Sequence, residues 1–310
     1  MNSSHYPFDK GRLRAEAAGI GFAAIGVADA TEVDPDAHSL YMSWIARGCH
    51  GTMDYLDRYH DVRRDPRFLL DGARSVVCCA IPYTPPQRQP AGSPRIASYA
   101  LGQDYHEVVR DMLRRLAAHI DSSCGSQSRA CVDTAPLRER YWAVRSGLGF
   151  TGINGQLIVP GIGSQVFLGE IVTTAYIQPD APATGHCRKC MACVKACPGG
   201  AIGADGSFDA RRCLSYLTIE YRGQLPDGID PGDRLYGCDT CQDVCPHNRD
   251  AAPTAIEAFW PSPQLLSATA GTIAALTPDT YRSLFRHSAV RRAKLPMLLR
   301  NLQWIQRHRQ

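Results

Sequence analysis

Apolar and polar residues recur with helical and strand spacing throughout the first 180 residues of the chain. This spacing predicts helices over 8–19, 36–47, 104–120 and 136–146, and strands over 21–28, 74–81, 129–132, 156–160 and 166–177. The run over 74–81 is largely apolar and ends at Pro82, which is typical of a buried central strand. Because helices and strands alternate, residues 1–180 are predicted to form an α/β (α+β) domain.

The next segment, residues 181–250, is dominated by cysteine. Eight of the thirteen cysteines read Cys187-x2-Cys190-x2-Cys193-x3-Cys197-Pro198, then Cys213, then Cys238-x2-Cys241-x3-Cys245-Pro246. The first run has the spacing of a bacterial ferredoxin, in which three thiolates hold one four-iron cluster and the cysteine before proline ligates a second cluster. The second run repeats this motif with its first cysteine moved upstream. The segment is therefore predicted to be a ferredoxin-like domain that carries two [4Fe–4S] clusters and transfers electrons.

The same motif predicts which cysteines share a cluster, because each pre-proline cysteine faces the cluster of the other run. Cluster one is expected to take Cys187, Cys190, Cys193 and Cys245, and cluster two Cys213, Cys238, Cys241 and Cys197. Paired structural zinc sites are the alternative, but zinc requires neither the third cysteine of each run nor the Cys-Pro pairs. Disulfides would require an oxidising compartment.

Composition and the amino-terminal sequence indicate the cellular compartment of the protein. The 310 residues are 44% hydrophobic and 8% aromatic, and no apolar run reaches the length of a membrane span. The first ten residues, MNSSHYPFDK, lack the apolar core of a signal peptide. We therefore expect a soluble, monomeric protein in the reducing cytosol.

The carboxy-terminal segment, residues 251–310, ends in a basic block. Beyond Asp279 there is no acidic residue, and the basic residues are Arg282, Arg286, Arg291, Arg292, Lys294, Arg300, Arg307 and Arg309. Apolar positions from Leu295 to Ile305 predict a helix with one core side, and its other side would present arginines. Such a block is either a solvated helix face or a surface that binds a polyanion such as folded RNA.

The spacing Gly147-x-Gly149-x-x-Gly152 matches the dinucleotide-binding fingerprint by letter. That fingerprint follows a strand and opens a helix, whereas these glycines follow a predicted helix. We expect them instead to let the backbone approach something flat and large.

Six segments of the chain resemble epoxyqueuosine reductases, the cobalamin-dependent enzymes of the last step in making the tRNA nucleoside queuosine. They are HGTMDYLDRYHDVRRDPRFLL (50–70), ASYALGQDYH (97–106), VDTAPLRERYWAVRSGLGFTGINGQLI (132–158), the cysteine set, CLSYLTIE (213–220) and YGCDTCQDVCPHN (236–248). The resemblance implies a cobalamin-binding domain, a two-cluster ferredoxin domain and a helical part that helps to hold the tRNA anticodon region. An external low-potential electron donor would supply the clusters.

The resemblance also implies that Asp133 is the general acid that protonates the departing epoxide oxygen. Burial beside an apolar corrin is expected to raise the pKa of Asp133 and keep it protonated. The alternative is that Asp133 caps the helix predicted to begin near Pro136.

Motif matching places further residues near the cobalamin. They are Arg58, Ser98, Tyr99, Asp133, Asn154, Gly155, Gln156, Leu157 and Leu168, with Glu220 approaching from the ferredoxin side. Each of these could equally serve packing or a surface ion pair. Where the family commonly has G-K-N-[ST], this chain reads Gly152-Ile153-Asn154-Gly155, so that a lysine contact is missing.

Three functions remain open at this point. The first is reduction of epoxyqueuosine in tRNA. The second is cobalamin-dependent reductive dehalogenation of a small molecule, and the third is a non-enzymatic electron-carrier subunit.

Overall fold

The structure is a computed structural model that describes residues 9–309. Its main sheet has four strands in the order β1-β2-β7-β4, and all three pairings are antiparallel. The strands are β1 (Ala24–Asp29), β2 (Ser75–Pro82), β3 (Arg95–Ile96), β4 (Ser128–Cys131), β5 (Phe150–Thr151), β6 (Leu157–Ile158), β7 (Val166–Thr173) and β8 (Arg234–Tyr236). The alternation of helices and strands thus corresponds to the α+β form rather than to a parallel sheet.

Helices cover both faces of the main sheet and make up most of the carboxy-terminal part. They are α1 (Lys10–Ile20), α2 (Pro35–Ala46), α3 (His60–Arg64), α4 (Tyr105–Cys124), α5 (Glu139–Arg145), α6 (Ala192–Ala196), α7 (Leu214–Ile219), α8 (Thr240–Asp243), α9 (Pro263–Leu266), α10 (Ala270–Ala274), α11 (Pro278–Leu284) and α12 (Lys294–His308). No helix among residues 9–309 is long and apolar enough to cross a membrane.

Several predicted bounds were displaced by local caps. The side chain of Asp9 accepts hydrogen bonds at the start of α1, and Phe8, where this helix was predicted to begin, lies outside the described residues. Gly21 adopts a left-handed conformation with φ of 114° and ends α1, which moves the start of β1 to Ala24. Strand β7 ends at Thr173, before the predicted Ile177.

The two faces of β7 pack into different cores. Phe167 and Ile171 lie in the core formed with α1 and α4. Leu168 and Val172 pack on the other side of the sheet, where the core includes Trp142 of α5. Because side chains alternate along a strand, Glu170 belongs to this second face.

The cysteine-rich segment is joined to the front of the chain by a parallel pairing of β3 with β8. Helix α6 packs against α8, so that the two cysteine runs lie side by side. Helix α12 packs against β8 and α7. Its Asn301 is fully buried and donates hydrogen bonds to the carbonyls of Thr218 and Leu235, both at 2.9 Å.

Candidate active site and metal centres

Asp133 lies two residues beyond β4, in an irregular segment that leads to α5. Its φ of 43° is in the left-handed region, which is strained for a residue other than glycine. The helix predicted from Pro136 begins only at Glu139, and its cap residue Arg138 makes no side-chain cap bond. The alternative in which Asp133 caps this helix is therefore wrong.

Asp133 is the end of a short chain of hydrogen bonds that starts at the amino terminus of α4. His106 Nδ1 lies 2.7 Å from Asp104 Oδ1, and His106 Nε2 lies 2.9 Å from Asp133 Oδ2. The Tyr105 hydroxyl donates to the same Asp133 oxygen at 3.0 Å. Asp104 also caps α4 by accepting from the His106 amide. The helix start thus aims the imidazole at Asp133.

The protein surrounds Asp133 on most sides, yet 53% of its side chain remains exposed, so that it lines an open cleft. The ring of Tyr105 forms one wall, because it stacks on Phe167 at 4.5 Å and on His106 at 4.0 Å. The ring of Tyr99 approaches Tyr105 edge-on at 6.0 Å.

The charges of His106 and Asp133 depend on each other. Burial raises the pKa of Asp133, but the hydrogen bond and positive charge of His106 outweigh it and leave that pKa below its ordinary value. Burial lowers the pKa of His106, but its hydrogen bonds to Asp104 and Asp133 raise it to about 9. The groups of the protein itself thus favour a charged imidazole beside Asp133. The expected protonation of Asp133 depends on burial beside a corrin and stays a prediction.

Two further carboxyl groups lie behind Asp133. Glu139 Oε1 accepts a hydrogen bond from the Asp133 amide at 2.5 Å, and burial together with the charge of Asp133 raises the pKa of Glu139 to about 7. Glu170 is fully buried between Cys78 and Cys131 on the neighbouring strands, and neither of its carboxyl oxygens has a hydrogen-bond partner among the described residues. Burial, with the charges of Glu139 and Asp133, raises the pKa of Glu170 well above its ordinary value.

Sequence reasoning missed His106, Tyr105 and Glu139 as site residues. The signal for the first two is Asp-Tyr-His directly before the amphipathic helix, where a capping aspartate fixes the next two side chains. Glu139 gave no comparable signal, because its role depends on the turn that Asp133 makes.

Four of the thiols face a single cavity. It is lined by Cys187, Cys190, Cys193 and Cys245, together with Gly152, Ile153, Asn154 and His247. Within residues 9–309, no three His, Cys, Asp or Glu side chains close tightly enough to hold one metal ion. The opening between the thiols suits a larger group, such as a four-iron cluster, because four cysteines are the usual ligand set of that cluster.

The other four cysteines are partly buried and lie close to one another. The thiol of Cys213 is near Cys238 and Cys197, and Cys241 is near all three. The Cys241 carbonyl accepts a hydrogen bond from Asn154 Nδ2 at 3.4 Å, so that Asn154 stands between the two thiol sets.

Some of the residues expected to contact cobalamin keep free surface. Arg58 is exposed, Tyr99 and Leu168 are partly buried, and open space lies above the Cα atom of Gly155. Gln156 is partly buried, and its amide donates to Asn154 Oδ1.

Other expected contacts are already engaged within the protein. Both Ser98 Oγ and the Ser98 amide donate to Asp239, at 2.8 and 2.7 Å. Glu220 accepts two hydrogen bonds from Arg292, at 3.0 and 2.8 Å, and Leu157 is buried in the core around Trp142.

The glycines of the apparent dinucleotide fingerprint pack against the chain itself. A Cβ atom on Gly147 would lie 2.1 Å from the carbonyl oxygen of Ala181, and one on Gly149 would lie 2.3 Å from that of Ile158. The expectation that they approach a flat ligand is wrong for these two residues.

The basic carboxy-terminal block is only partly free. Arg300 donates to the carbonyls of Leu217, Tyr221 and Gly223, at 2.9, 2.7 and 3.0 Å. The prediction that the arginines of α12 face outward is therefore wrong for Arg300. Arg286, Arg291 and Arg307 are exposed.

An α+β domain with a His–Asp pair in an open cleft, followed by two sets of four thiols, defines an iron–sulfur oxidoreductase.

Residues 63–134 match the family model described as Epoxyqueuosine reductase QueG, DUF1730, and residues 186–248 match the 4Fe-4S double cluster binding domain. The chain is 37% identical to an epoxyqueuosine reductase of Cellulophaga algicola, with 94% of this chain and 96% of the relative covered. It is 41% identical to one of Synechocystis, with 90% and 99% covered.

Solved structures agree with these relatives. A crystal structure of epoxyqueuosine reductase with an epoxyqueuosine-modified tRNA-Tyr stem loop matches with a TM-score of 0.83 and 30% identity, covering 96% of this chain and 81% of that one. A Bacillus subtilis epoxyqueuosine reductase, whose catalytic aspartate loop is swung out of the active site, matches with a TM-score of 0.82 and 29% identity, covering 96% and 81%. The chain belongs to the epoxyqueuosine reductase family.

Proposed function

We propose that this protein reduces the epoxide of epoxyqueuosine in tRNA to give queuosine, using cobalamin and two [4Fe–4S] clusters. Family membership over nearly the whole chain carries this proposal. The curated relatives above are epoxyqueuosine reductases, which favours this activity over reductive dehalogenation. Because tRNA is the substrate, we infer that the reaction takes place in the cytosol.

We assign cluster one to Cys187, Cys190, Cys193 and Cys245, and cluster two to Cys197, Cys213, Cys238 and Cys241. The shared cavity of the first four thiols and the proximity of the second four support this assignment. In this arrangement each cysteine run contributes its last cysteine to the cluster of the other run.

We place the cobalamin-binding part within residues 1–180, the cluster-binding part within 181–250 and the tRNA-contacting segment within 251–310. Arg58 is exposed, Tyr99 and Leu168 are partly exposed, and open space lies above Gly155, so that each of them retains surface for a large ligand. When bound, cobalamin would supply a strong nucleophile and reductant that the clusters can recharge one electron at a time.

The side chains of the cleft supply the proton chemistry. Opening the epoxide and releasing its oxygen as water takes two electrons and two protons. Asp133 faces the open cleft and shares a proton with His106 across 2.9 Å, so that this pair delivers one proton to the departing oxygen. Water in the open cleft supplies the second proton. Asp104 holds the imidazole in place and favours its charged form.

We infer that tRNA is held partly by the exposed arginines near the carboxy terminus. Arg286, Arg291 and Arg307 are exposed, and Arg291 also donates one hydrogen bond to the Arg286 carbonyl at 2.9 Å. Phosphate binding needs exposed cations of this kind. Arg292 is bound to Glu220, and Arg300 to backbone carbonyls, so that these two have structural roles.

The experiment that tests this function is a single-turnover assay. Protein purified anaerobically and supplied with cobalamin and a chemical reductant is mixed with a tRNA stem loop that carries epoxyqueuosine. Mass spectrometry of the nucleoside should show the loss of one oxygen atom. The proposal would be rejected if the nucleoside stayed unchanged although the protein contained about eight irons per chain, the number that two such clusters require.

A further inference from the structure

We propose that the exposed loop of cluster one is a docking surface for an acidic, low-potential electron-carrier protein of the ferredoxin or flavodoxin type. The docking surface consists of Arg188, Lys189 and Lys195, which surround the cysteines of this cluster in the sequence. The inference extends the proposed function, on which it rests for the presence of the cluster, by naming a partner of that site.

The ligand loop of cluster one reaches the protein surface. Cys190 is exposed and Cys193 is buried, whereas each of the four cysteines assigned to cluster two is partly exposed. Lys189 and Met191 adopt left-handed conformations, with φ of 50° and 61°, so that the loop turns tightly and leaves its side chains at the surface. A donor can therefore approach this cluster without any rearrangement of the protein.

Side-chain contacts link the cysteines assigned to cluster two with both cluster one and the cleft. Asn154 lines the cavity of cluster one and donates to the carbonyl of Cys241. On the other side, Asp239, between Cys238 and Cys241, binds Ser98, and the neighbouring Tyr99 contacts Tyr105 beside Asp133. We therefore infer that electrons enter at the exposed loop of cluster one and pass through cluster two to the cleft.

The charge of the docking surface is not cancelled within the protein. Arg188, Lys189 and Lys195 are exposed, and none of them forms an ion pair among residues 9–309. Residues 185–204 contain no acidic side chain. The nearest acids in the sequence are Asp180, which is held by Lys10 and Arg14, and Asp205, which binds the Ser207 amide.

An acidic protein fits this surface better than tRNA does. Free cations beside an exposed redox centre steer a negatively charged partner and raise its association rate. Each productive encounter oxidises the carrier by one electron and reduces cluster one by one electron, with no bond formed or broken. A tRNA on the same surface would block the approach of a donor to this cluster.

The test measures cluster reduction without tRNA or cobalamin. Holoprotein is mixed anaerobically with a reduced, acidic plant-type ferredoxin, and the visible absorbance of the clusters is followed by stopped flow. In the variant Arg188→Glu/Lys189→Glu/Lys195→Glu, the second-order rate constant at low salt should be at least about tenfold below that of the wild type. The wild-type rate should decrease with added salt, whereas the rate of the variant should not. Reduction by the methyl viologen radical cation should not slow down.

A matched control has the same change of charge on another face. Arg12, Arg114 and Arg115 are exposed on α1 and α4 and form no ion pair among the described residues. The variant Arg12→Glu/Arg114→Glu/Arg115→Glu should keep the wild-type rate with ferredoxin. Both triple variants must contain as much iron as the wild type. If the docking-surface variant loses its cluster, the variant Lys189→Gln/Lys195→Gln takes its place.

The inference would be overturned if ferredoxin reduced the wild type and the docking-surface variant at equal rates. It would also be overturned if the control variant showed the same decrease in rate as the docking-surface variant. A loss of affinity for a tRNA stem loop without a change in the ferredoxin rate would instead identify an RNA surface. Failure of the proposed function is distinguishable, since it would leave rapid reduction by ferredoxin together with an unchanged nucleoside.

Discussion

His106 Nε2 lies 2.9 Å from Asp133 Oδ2, although the two residues are 27 positions apart in the sequence. The contact joins the start of α4 to the strained turn after β4. It places a titratable imidazole behind the carboxylate that faces the cleft. Several expected outcomes depend on this pair and on its surroundings.

Replacing Asp133 with Asn should reduce turnover at least about a hundredfold, the usual scale for the loss of a general acid. Asparagine keeps the size of the side chain and can still accept a hydrogen bond from Tyr105, so both clusters and bound cobalamin should remain. Single-turnover rates and iron content measure these two effects. Asp111→Asn, at an exposed position on α4, serves as the control and should behave like wild type. Retention of full activity by the Asp133 variant would exclude it as the acid.

Turnover should decline as the pH rises through about 9, the pKa to which the two carboxylates raise His106. In Asp104→Asn, which keeps a capping side chain, the decline should move to lower pH because one of the two charges is gone. The pH profile of kcat/KM measures this shift, and an unshifted profile would show that Asp104 does not act through His106.

The same pair affects stability. His106 has a higher pKa in the folded protein than its ordinary value of 6.5, so that its stabilising contribution is complete below about 6.5 and is lost as the pH rises through about 9. Melting temperatures of wild type and His106→Gln should therefore converge between these two pH values.

Replacing Cys245 with Ala should damage the cluster held by Cys187, Cys190 and Cys193. About four irons per chain should remain, and they should belong to the cluster that contains Cys213. Iron analysis and electron paramagnetic resonance of the reduced protein measure this. Cys124→Ala, which removes an exposed cysteine outside both sets, should keep the full iron content. Loss of the signal of the Cys213 cluster instead would contradict the assignment.

Arg300→Met should lower the free energy of unfolding by about 1.5–3 kcal/mol, since a charged donor leaves the carbonyls at the end of α7. Arg307→Met removes an exposed charge from the same helix and should leave stability nearly unchanged. It should weaken tRNA binding and reduce the salt dependence of that binding. Thermal melts and binding titrations at several salt concentrations separate the two roles. If Arg307→Met lowered stability and Arg300→Met only weakened tRNA binding, the two roles would have to be exchanged.

Glu170→Gln should stabilise the protein at alkaline pH. The pKa of this buried carboxyl is raised, so that wild type loses stability as the pH increases from the ordinary carboxyl range toward that higher value. Glutamine carries no proton that can be lost, and the difference in melting temperature between variant and wild type should grow with pH. Glu257→Gln, at an exposed position, should show no such trend.

The double-cluster segment could be predicted from sequence because cysteine spacing within a tight loop is a local property, and residues 186–248 match that family model. The cluster that each cysteine binds stays a prediction. The position of α4 could likewise be predicted from its apolar periodicity and its capping Asp104. The antiparallel order of the main sheet could not, since the alternation of helices and strands does not fix the direction in which strands pair.

The site was harder to predict where it depends on distant contacts. Asp133 could be singled out by resemblance, but its contact with His106, which affects its pKa, arises only through the fold. The inward turn of Arg300 follows from carbonyls left free at the end of α7, which no spacing along α12 indicates.

The parallel pairing of β3 with β8 can form only after most of the chain has been synthesised. The segment with Cys238 and Cys241 is positioned by Arg95 and Ile96, whose partners Arg234 and Tyr236 leave the ribosome much later. Helix α12 then closes over β8. A chain that ends before Arg234 lacks Cys238, Cys241 and Cys245, and so cannot hold the full complement of inorganic sulfide.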